Sequence, residues 1–179
     1  MGSISRKIYS KLLPKVISHI NIPLCIFIFT FAIYIHNLSP SVYGGDSGDL
    51  LTAVATRGIP HPSGYPLYTL LGILFTYLPG PFTFAWKFGI VSALFSSLSV
   101  ILTYYIVNNL TKNCYLAITT SLALAFTYPF WLYAEIVEVF ALHGFFILVL
   151  VFITLLYAQT LHKKYLYWLA FITAHSLTN

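Results

Sequence analysis

The acidic residues of this chain are few, and they fall in two short segments. All four Asp and Glu side chains of the 179 residues belong to these segments: Asp46 and Asp49 in the first, Glu135 and Glu138 in the second. Asp46 stands among glycines, which allow a substrate to approach the backbone closely. The three-residue spacing of the glutamates places both on one face of a helix. A carboxylate beside a cavity is a candidate general base, so Asp46 and Glu138 are candidate catalytic residues.

Two histidines could supply further chemistry. His61 lies between Pro60 and Pro62, which restrict the backbone and the direction of the imidazole ring. This ring could bind a phosphate as an imidazolium ion or donate a hydrogen bond to a sugar, although it could also be an ordinary exposed loop histidine. His143 lies in an apolar segment, where an ionisable group faces the protein interior more often than lipid. No HExxH motif or Cys/His cluster with metal-ligand spacing occurs, so we expect no metal and no other cofactor.

Each acid also has a purely structural interpretation. Asp46 or Ser47 could cap a short helix, and Asp49 could interact with the dipole of its first turn. Glu135 and Glu138 could be solvated carboxylates at the end of a helix. The residue types alone leave both interpretations open.

The composition is that of a membrane protein. Hydrophobic residues make up 59% of the chain and charged residues only 7%, whereas a soluble domain carries about a quarter charged residues. The net charge of +5 is spread thinly and forms no dense basic patch, which argues against nucleic-acid binding. Cys25 and Cys114 lie in separate apolar stretches and indicate no disulfide framework. The lipid bilayer is therefore the first partner that we predict.

The apolar runs predict an all-α fold, namely a polytopic helical bundle in a single transmembrane domain over residues 1–179. A run of about 20 apolar residues crosses a hydrocarbon core of about 30 Å. Five spans are predicted, at 22–38, 88–107, 115–133, 139–158 and 165–179, and the chain end cuts the last one short. The loop 39–87 would carry two short helices, at about 46–57 and 66–78. We expect the second helix not to span the membrane, because it is short and prolines flank it.

The cations indicate the orientation. If 66–78 does not span, seven of them share one side of the membrane: Arg6, Lys7, Lys11, Lys15, Lys112, Lys163 and Lys164. Only Arg57 and Lys87 remain on the other side. Because cytoplasmic loops are enriched in Lys and Arg, the N-terminus is predicted to be cytoplasmic and the loop 39–87 external. All four acids then fall on the external side.

The segment GGDSGDLLTAVATRGIPHPSGYPLYTLLG resembles a family of multi-pass membrane proteins with the GT-C glycosyltransferase fold. This family includes the endoplasmic-reticulum protein O-mannosyltransferase that acts on plexin-type receptors. The resemblance continues through WKFGIVSALFSSLSVILTYYIV and AEIVEVFALHGFF to SLTN. The family pattern has Glu at the position of Asp49 and Pro at that of Ser63, whereas Asp46, His61 and Glu138 match it.

The resemblance implies transfer of a sugar, expected to be mannose, from a polyprenyl-phosphate donor such as dolichyl phosphate mannose. The acceptor would be a hydroxyl, expected on a protein, at the lumenal or external face. Asp46 would take the acceptor proton, and Glu138 would be the second catalytic residue. The residues expected to bind the donor are His61, Asp49, Arg57, Tyr65 and His143. The membrane would be that of the endoplasmic reticulum in a eukaryote and the plasma membrane in a bacterium or archaeon.

Members of this fold are much longer, so the chain resembles an N-terminal fragment, and we expect the 179 residues alone to be inactive. The alternative from another class is a non-catalytic membrane subunit or a small-molecule transporter, whose intramembrane polar groups would mark a path. Against this alternative, the polar groups that could mark a path cluster on one membrane face, and the centres of the spans contain mainly Ser and Thr.

Overall fold

The computed structural model describes residues 21–178, and within this range it contains eight helices and no strand. The helices are α1 (Asn21–Asn37), α2 (Ser47–Thr56), α3 (Pro66–Thr76), α4 (Phe84–Thr111), α5 (Cys114–Ala125), α6 (Tyr128–Glu135), α7 (Phe140–Thr160) and α8 (Lys164–Ser176). The predicted all-α fold class is therefore confirmed. Arg6, Lys7, Lys11 and Lys15, on which the predicted orientation partly depends, lie outside the described residues, as does Asn179.

Two helices have the length and hydropathy of a membrane span. The helix α4 has 28 residues and contains an 18-residue stretch with a mean hydropathy of 2.0, and α7 has 21 residues and contains such a stretch with a mean hydropathy of 2.4. At about 1.5 Å per residue both exceed a hydrocarbon core of about 30 Å. A third span results if α5 and α6 are counted as one bent element. In the described range two or three helices thus meet these criteria, compared with the five predicted spans.

The helices α4 and α7 run parallel. Near their N-terminal ends, the Ser92 hydroxyl of α4 donates to the carbonyl of Glu138, just before α7, at 3.5 Å. Near their C-terminal ends, the Gln159 amide donates to the Asn109 side-chain oxygen at 2.6 Å. Both helices therefore begin at one end of the bundle, and the connection from α6 to α7 lies there.

The short helices α2 and α3 lie near the predicted positions and cover this end of the bundle. The apolar sides of α2 and α3 pack against α4 and α7 in one core that includes Leu50, Val54, Tyr68, Phe88 and Leu142. A Cβ at Gly72 of α3 would lie 2.5 Å from the Phe88 ring, so this close approach of α3 to α4 requires glycine. The eleven residues of α3 extend about 17 Å, which is less than the thickness of a hydrocarbon core.

The predicted span 115–133 differs from the structure, because two helices occupy it. The axes of α5 and α6 are bent by 64° at a break after Ala125. The cause is Pro129, which has no N–H to donate and whose ring disfavours a helical carbonyl four residues earlier, at Ala125. The Tyr34 hydroxyl of α1 donates to this carbonyl at 2.8 Å, so the break leaves no unpaired acceptor there.

Candidate functional site

The loop before α2 meets the connection between α6 and α7. Oε1 of Glu138 accepts a hydrogen bond from the backbone N–H of Asp46 at 2.9 Å. Gly45 precedes Asp46 with a φ of +74°, and a Cβ there would lie 2.6 Å from the same Oε1 atom. The backbone can approach Glu138 this closely only because residue 45 is glycine.

Glu138 is a buried carboxylate with one unused oxygen. Its residue surface is 3% exposed, and Oε2 has no hydrogen-bond partner among the described residues. Burial raises the pKa of this carboxyl above its ordinary value, and the nearby carboxylate of Asp46 acts in the same direction. The Tyr68 and Ser92 hydroxyls lie 2.9 Å apart beneath it, and Ser92 donates to the Glu138 carbonyl. These contacts fix the position of Glu138 over the core.

The side chain of Asp46 does not cap α2. Asp46 occupies the N-cap position, but the structure gives it no side-chain hydrogen bond to the helix. Its carboxylate is half exposed, and Oδ2 lies 3.6 Å from Nε2 of His61. The capping interpretation of Asp46 therefore lacks the contact on which it depends, and the carboxylate remains free to accept a proton.

Asp49 fixes the position of His61. Its Oδ2 atom accepts the backbone N–H of His61 at 2.8 Å and lies 2.7 Å from Nδ1 of the same residue. The backbone hydrogen bond is the main reason why the pKa of Asp49 is below its ordinary value. The side-chain hydrogen bond is the main reason why the pKa of His61 is raised. Asp49 thus has a specific partner in addition to its place in the first turn of α2.

The structure brings Asp46, Asp49, His61 and Glu138 together, and we call these four residues the carboxylate–imidazole cluster. Tyr65, the N-cap residue of α3, packs edge-on against the His61 ring with 5.4 Å between the centroids. The catalytic and donor-binding roles of the cluster residues and of Tyr65 stay predictions, because the geometry alone assigns no role.

Arg57 and His143 lie apart from the cluster. The Arg57 guanidinium donates to the Tyr77 hydroxyl and lines a separate cavity of about 380 Å³, with Gly58, Ser63, Gly64 and Thr69 also in its wall. His143 is exposed on α7, in contrast to the expectation that it faces the protein interior. The physical reason is its position on the side of α7 that no described helix covers. Within residues 21–178, no group of three or more His, Cys, Asp or Glu side chains is arranged to bind a metal ion.

The residues that support the cluster are not evident from the sequence. Gly45, Tyr68 and Ser92 each act through Glu138 or its carbonyl, which is distant in the chain. Tyr68 and Ser92 look like isolated polar residues in apolar helices, and no spacing marks them. Gly45 is partly indicated by the sequence, because it directly precedes Asp46 in the GGDSG segment.

Comparison with known proteins identifies relatives over most of the chain. The family model described as "Protein O-mannosyl-transferase TMEM260 N-terminal domain" matches residues 46–179. The chain is 31% identical over 136 residues to Protein O-mannosyl-transferase tmem260 of Dictyostelium discoideum, which is 75% of this chain and 17% of that protein. It is 31% identical over 140 residues to Protein O-mannosyl-transferase TMEM260 of Mus musculus, which is 78% of this chain and 20% of that protein.

The chain thus spans about a fifth of the length of these curated relatives. No solved structure matches it significantly. All of the carboxylate–imidazole cluster lies within the matched residues 46–179, together with α2 to α8. The chain belongs to the family of the N-terminal domain of the protein O-mannosyl-transferase TMEM260.

Proposed function

We propose that this chain contributes the catalytic site of a membrane protein mannosyltransferase, which moves mannose from a polyprenyl-phosphate donor to a hydroxyl of an acceptor protein. The relatives named as protein O-mannosyl-transferases support the sugar and the acceptor. The observation that carries the site is the half-exposed Asp46 carboxylate, which has no capping bond and whose backbone is fixed by Glu138.

Asp46 acts as the general base in this proposal. The acceptor hydroxyl gives its proton to Asp46, and its oxygen forms a bond to the anomeric carbon of the sugar. The bond from that carbon to the phosphate oxygen breaks, and its electron pair leaves with the polyprenyl phosphate. Attack opposite the leaving group inverts the configuration. Glu138 positions Asp46 through its hydrogen bond to the backbone.

The donor phosphate needs cations or dipoles that stabilise its charge as the bond breaks. Arg57 is the cation that lines the separate cavity described above, and we assign it to this phosphate. Tyr65 lies between the two sites, since its ring contacts His61 and its neighbours Gly64 and Pro66 line the cavity. Tyr65 would therefore contact the donor sugar near the reacting carbon.

The membrane and its orientation belong to the same proposal. The cluster lies at the end of the bundle where α4 and α7 begin. We place this end at the lumenal or external face, with the N-terminus in the cytoplasm. In a eukaryote the membrane is that of the endoplasmic reticulum.

The test is a transfer assay on the full-length natural protein in membranes, with radiolabelled dolichyl phosphate mannose and an acceptor polypeptide. Asp46→Asn keeps the shape of the side chain and removes its basicity, so transfer should fall by at least about 100-fold, the usual contribution of a general base. Expression and donor binding should stay near the wild-type values. Asp49→Asn, a matched change one helical turn away, should have a milder effect.

Ordinary turnover by Asp46→Asn would contradict the role of Asp46 as the base. A second control tests the proposed class of sugar donor: a nucleotide-linked mannose should not replace the lipid-linked donor in assays of the purified protein. Efficient transfer from the nucleotide sugar would refute the proposed donor class but not the family of the chain.

A further inference from the structure

We propose that His61 is the proton acceptor for Asp46 and that Asp49 is the residue that positions its ring, so that the three side chains form a proton relay from the acceptor hydroxyl to solvent. This inference rests on the proposed function, because it assumes that Asp46 receives the acceptor proton. It differs from a role of His61 in binding the donor phosphate.

The hydrogen bonds fix the tautomer of His61. An ionised carboxylate only accepts hydrogen bonds, so the 2.7 Å contact between Asp49 Oδ2 and Nδ1 places the ring proton on Nδ1. The neutral ring then has its lone pair on Nε2, the atom that faces Asp46 Oδ2 at 3.6 Å. The second hydrogen bond that Asp49 accepts, from the backbone N–H of His61, holds the backbone of this loop against α2.

The charges around His61 favour a proton over a phosphate. Three carboxyl groups act on the imidazole from two parts of the fold: Asp46 and Asp49 at the start of α2, and Glu138 before α7. The uncharged ring of Tyr65 covers another side at the start of α3. An anionic phosphate at Nε2 would meet the negative charge of Asp46, whereas a proton between Nε2 and Asp46 is attracted by both.

The proton moves from the acceptor hydroxyl to Asp46, then to His61 and finally to water. Asp46 takes the acceptor proton while the sugar bond forms and the phosphate leaves with its electron pair. The resulting O–H of Asp46 then donates to Nε2 after a small rotation of this half-exposed side chain, and the proton moves to the ring. Asp49 stabilises the imidazolium ion through Nδ1. Because 39% of the His61 side chain is exposed, Nε2 can release the proton to water and restore the neutral ring.

The pH dependence of turnover distinguishes the relay from phosphate binding, because the two roles need opposite charge states. A relay needs neutral His61, so turnover at saturating donor should fall as the pH drops through the pKa of His61, which Asp49 raises above its ordinary value of 6.5. Phosphate binding needs the imidazolium ion, so donor affinity should instead improve as the pH drops.

Three variants of the full-length protein in membranes complete the experiment. Asp49→Asn keeps an oxygen acceptor for both His61 N–H groups but removes the charge, so the acid limb of the kcat profile should shift to lower pH. His61→Asn keeps a donor toward Asp49 but cannot titrate, so the acid limb of the kcat profile near neutral pH should disappear. The kcat should fall about 10- to 100-fold, which is below the full effect of a general base. Added imidazole should restore part of the kcat. His162→Asn, an exposed histidine after α7, is the control and should leave the profile unchanged.

An unchanged kcat profile in both Asp49→Asn and His61→Asn would overturn the relay, as would a loss in His61→Asn confined to the donor KM. If His61→Asn fails to fold, as judged by size-exclusion chromatography, the shift in Asp49→Asn decides the question. Failure of the relay is distinguishable from failure of the proposed function, because only the latter predicts that Asp46→Asn retains turnover.

Discussion

The backbone before Asp46 depends on an atom that lies far away in the chain. Residue 45 has a φ of +74°, and the carboxylate that it approaches belongs to Glu138, whose bond to Asp46 joins residues 92 positions apart. A side chain at residue 45 would therefore meet two obstacles, the unfavourable left-handed conformation and the clash with Oε1. The neighbouring Gly44 has neither, since a Cβ there would meet nothing within 4 Å.

We predict that Gly45→Ala lowers the stability of the loop by at least about 1–2 kcal/mol, the usual penalty for a left-handed non-glycine residue, and displaces Asp46. Transfer should fall at least 10-fold in the membrane assay, with a lower melting temperature in detergent. Gly44→Ala is the matched control and should retain both values. Equal effects of the two changes would contradict the close approach of Gly45 to Glu138.

The acids could be singled out from the sequence because they are rare, but their pairing could not. Asp46, His61 and Glu138 come from three segments, and only the fold decides which atoms of these segments meet. Asp49 and His61 are twelve residues apart across a loop rich in Gly and Pro, so no helical spacing relates them. From the sequence, Asp49 is therefore assigned to a helix dipole and a donor-binding role, and its hydrogen bonds to His61 are not foreseen.

Capping and turn residues predict the positions of the short helices, whereas the hydropathy of a long apolar run does not reveal the break between α5 and α6. Asp46, Gly58 and Pro66 mark the ends of α2 and the start of α3, and the observed bounds differ from the predicted ones by no more than two residues. The run 115–133 is apolar throughout, so its hydropathy indicated one span. Pro129 was visible in the sequence, but a proline can either kink or end a helix, and only the packing against α1 decides between these outcomes.

The break between α5 and α6 makes a prediction about Tyr34. In Tyr34→Phe the Ala125 carbonyl loses its partner, so the free energy of unfolding should fall by about 1–3 kcal/mol, the range for a buried polar group left unpaired. In a Pro129→Ala background residue 129 regains an N–H that can donate to Ala125, so the same change at Tyr34 should cost less. Melting temperatures of the four proteins in detergent form the double-mutant cycle.

Tyr115→Phe provides the control for this cycle, because Tyr115 is 82% exposed and should tolerate the loss of its hydroxyl in both backgrounds. A cost at Tyr34 that is the same with and without Pro129 would show that the freed carbonyl is not what the Tyr34 hydroxyl stabilises.

Among the described residues, the acids and most of the lysines lie at opposite ends of α4 and α7. All four acids lie at the end where these helices begin, in the loop around α2 and in the connection from α6 to α7. Lys112, Lys163 and Lys164 lie at the opposite end, after α4 and between α7 and α8. This separation is the pattern that the positive-inside rule describes, and it supports the proposed placement of the carboxylate–imidazole cluster away from the cytoplasm. The sequence alone suggested the same division, but it could not show that α4 and α7 run parallel.

Asn109 tests this orientation, because Asn109, Leu110 and Thr111 form a natural acceptor sequence for N-glycosylation at the end of α4 that carries the lysines. We predict that Asn109 stays unmodified when the full-length protein is inserted into microsomes, since we place this end in the cytoplasm, where N-glycans are not added. At the opposite end, Pro81→Asn creates an acceptor sequence with Phe82 and Thr83 in the exposed loop between α3 and α4, and this site should gain a glycan. The gel shift removed by an endoglycosidase is the measurement. A glycan on Asn109 would place the cluster on the cytoplasmic side, where a lumenal transfer reaction could not use it.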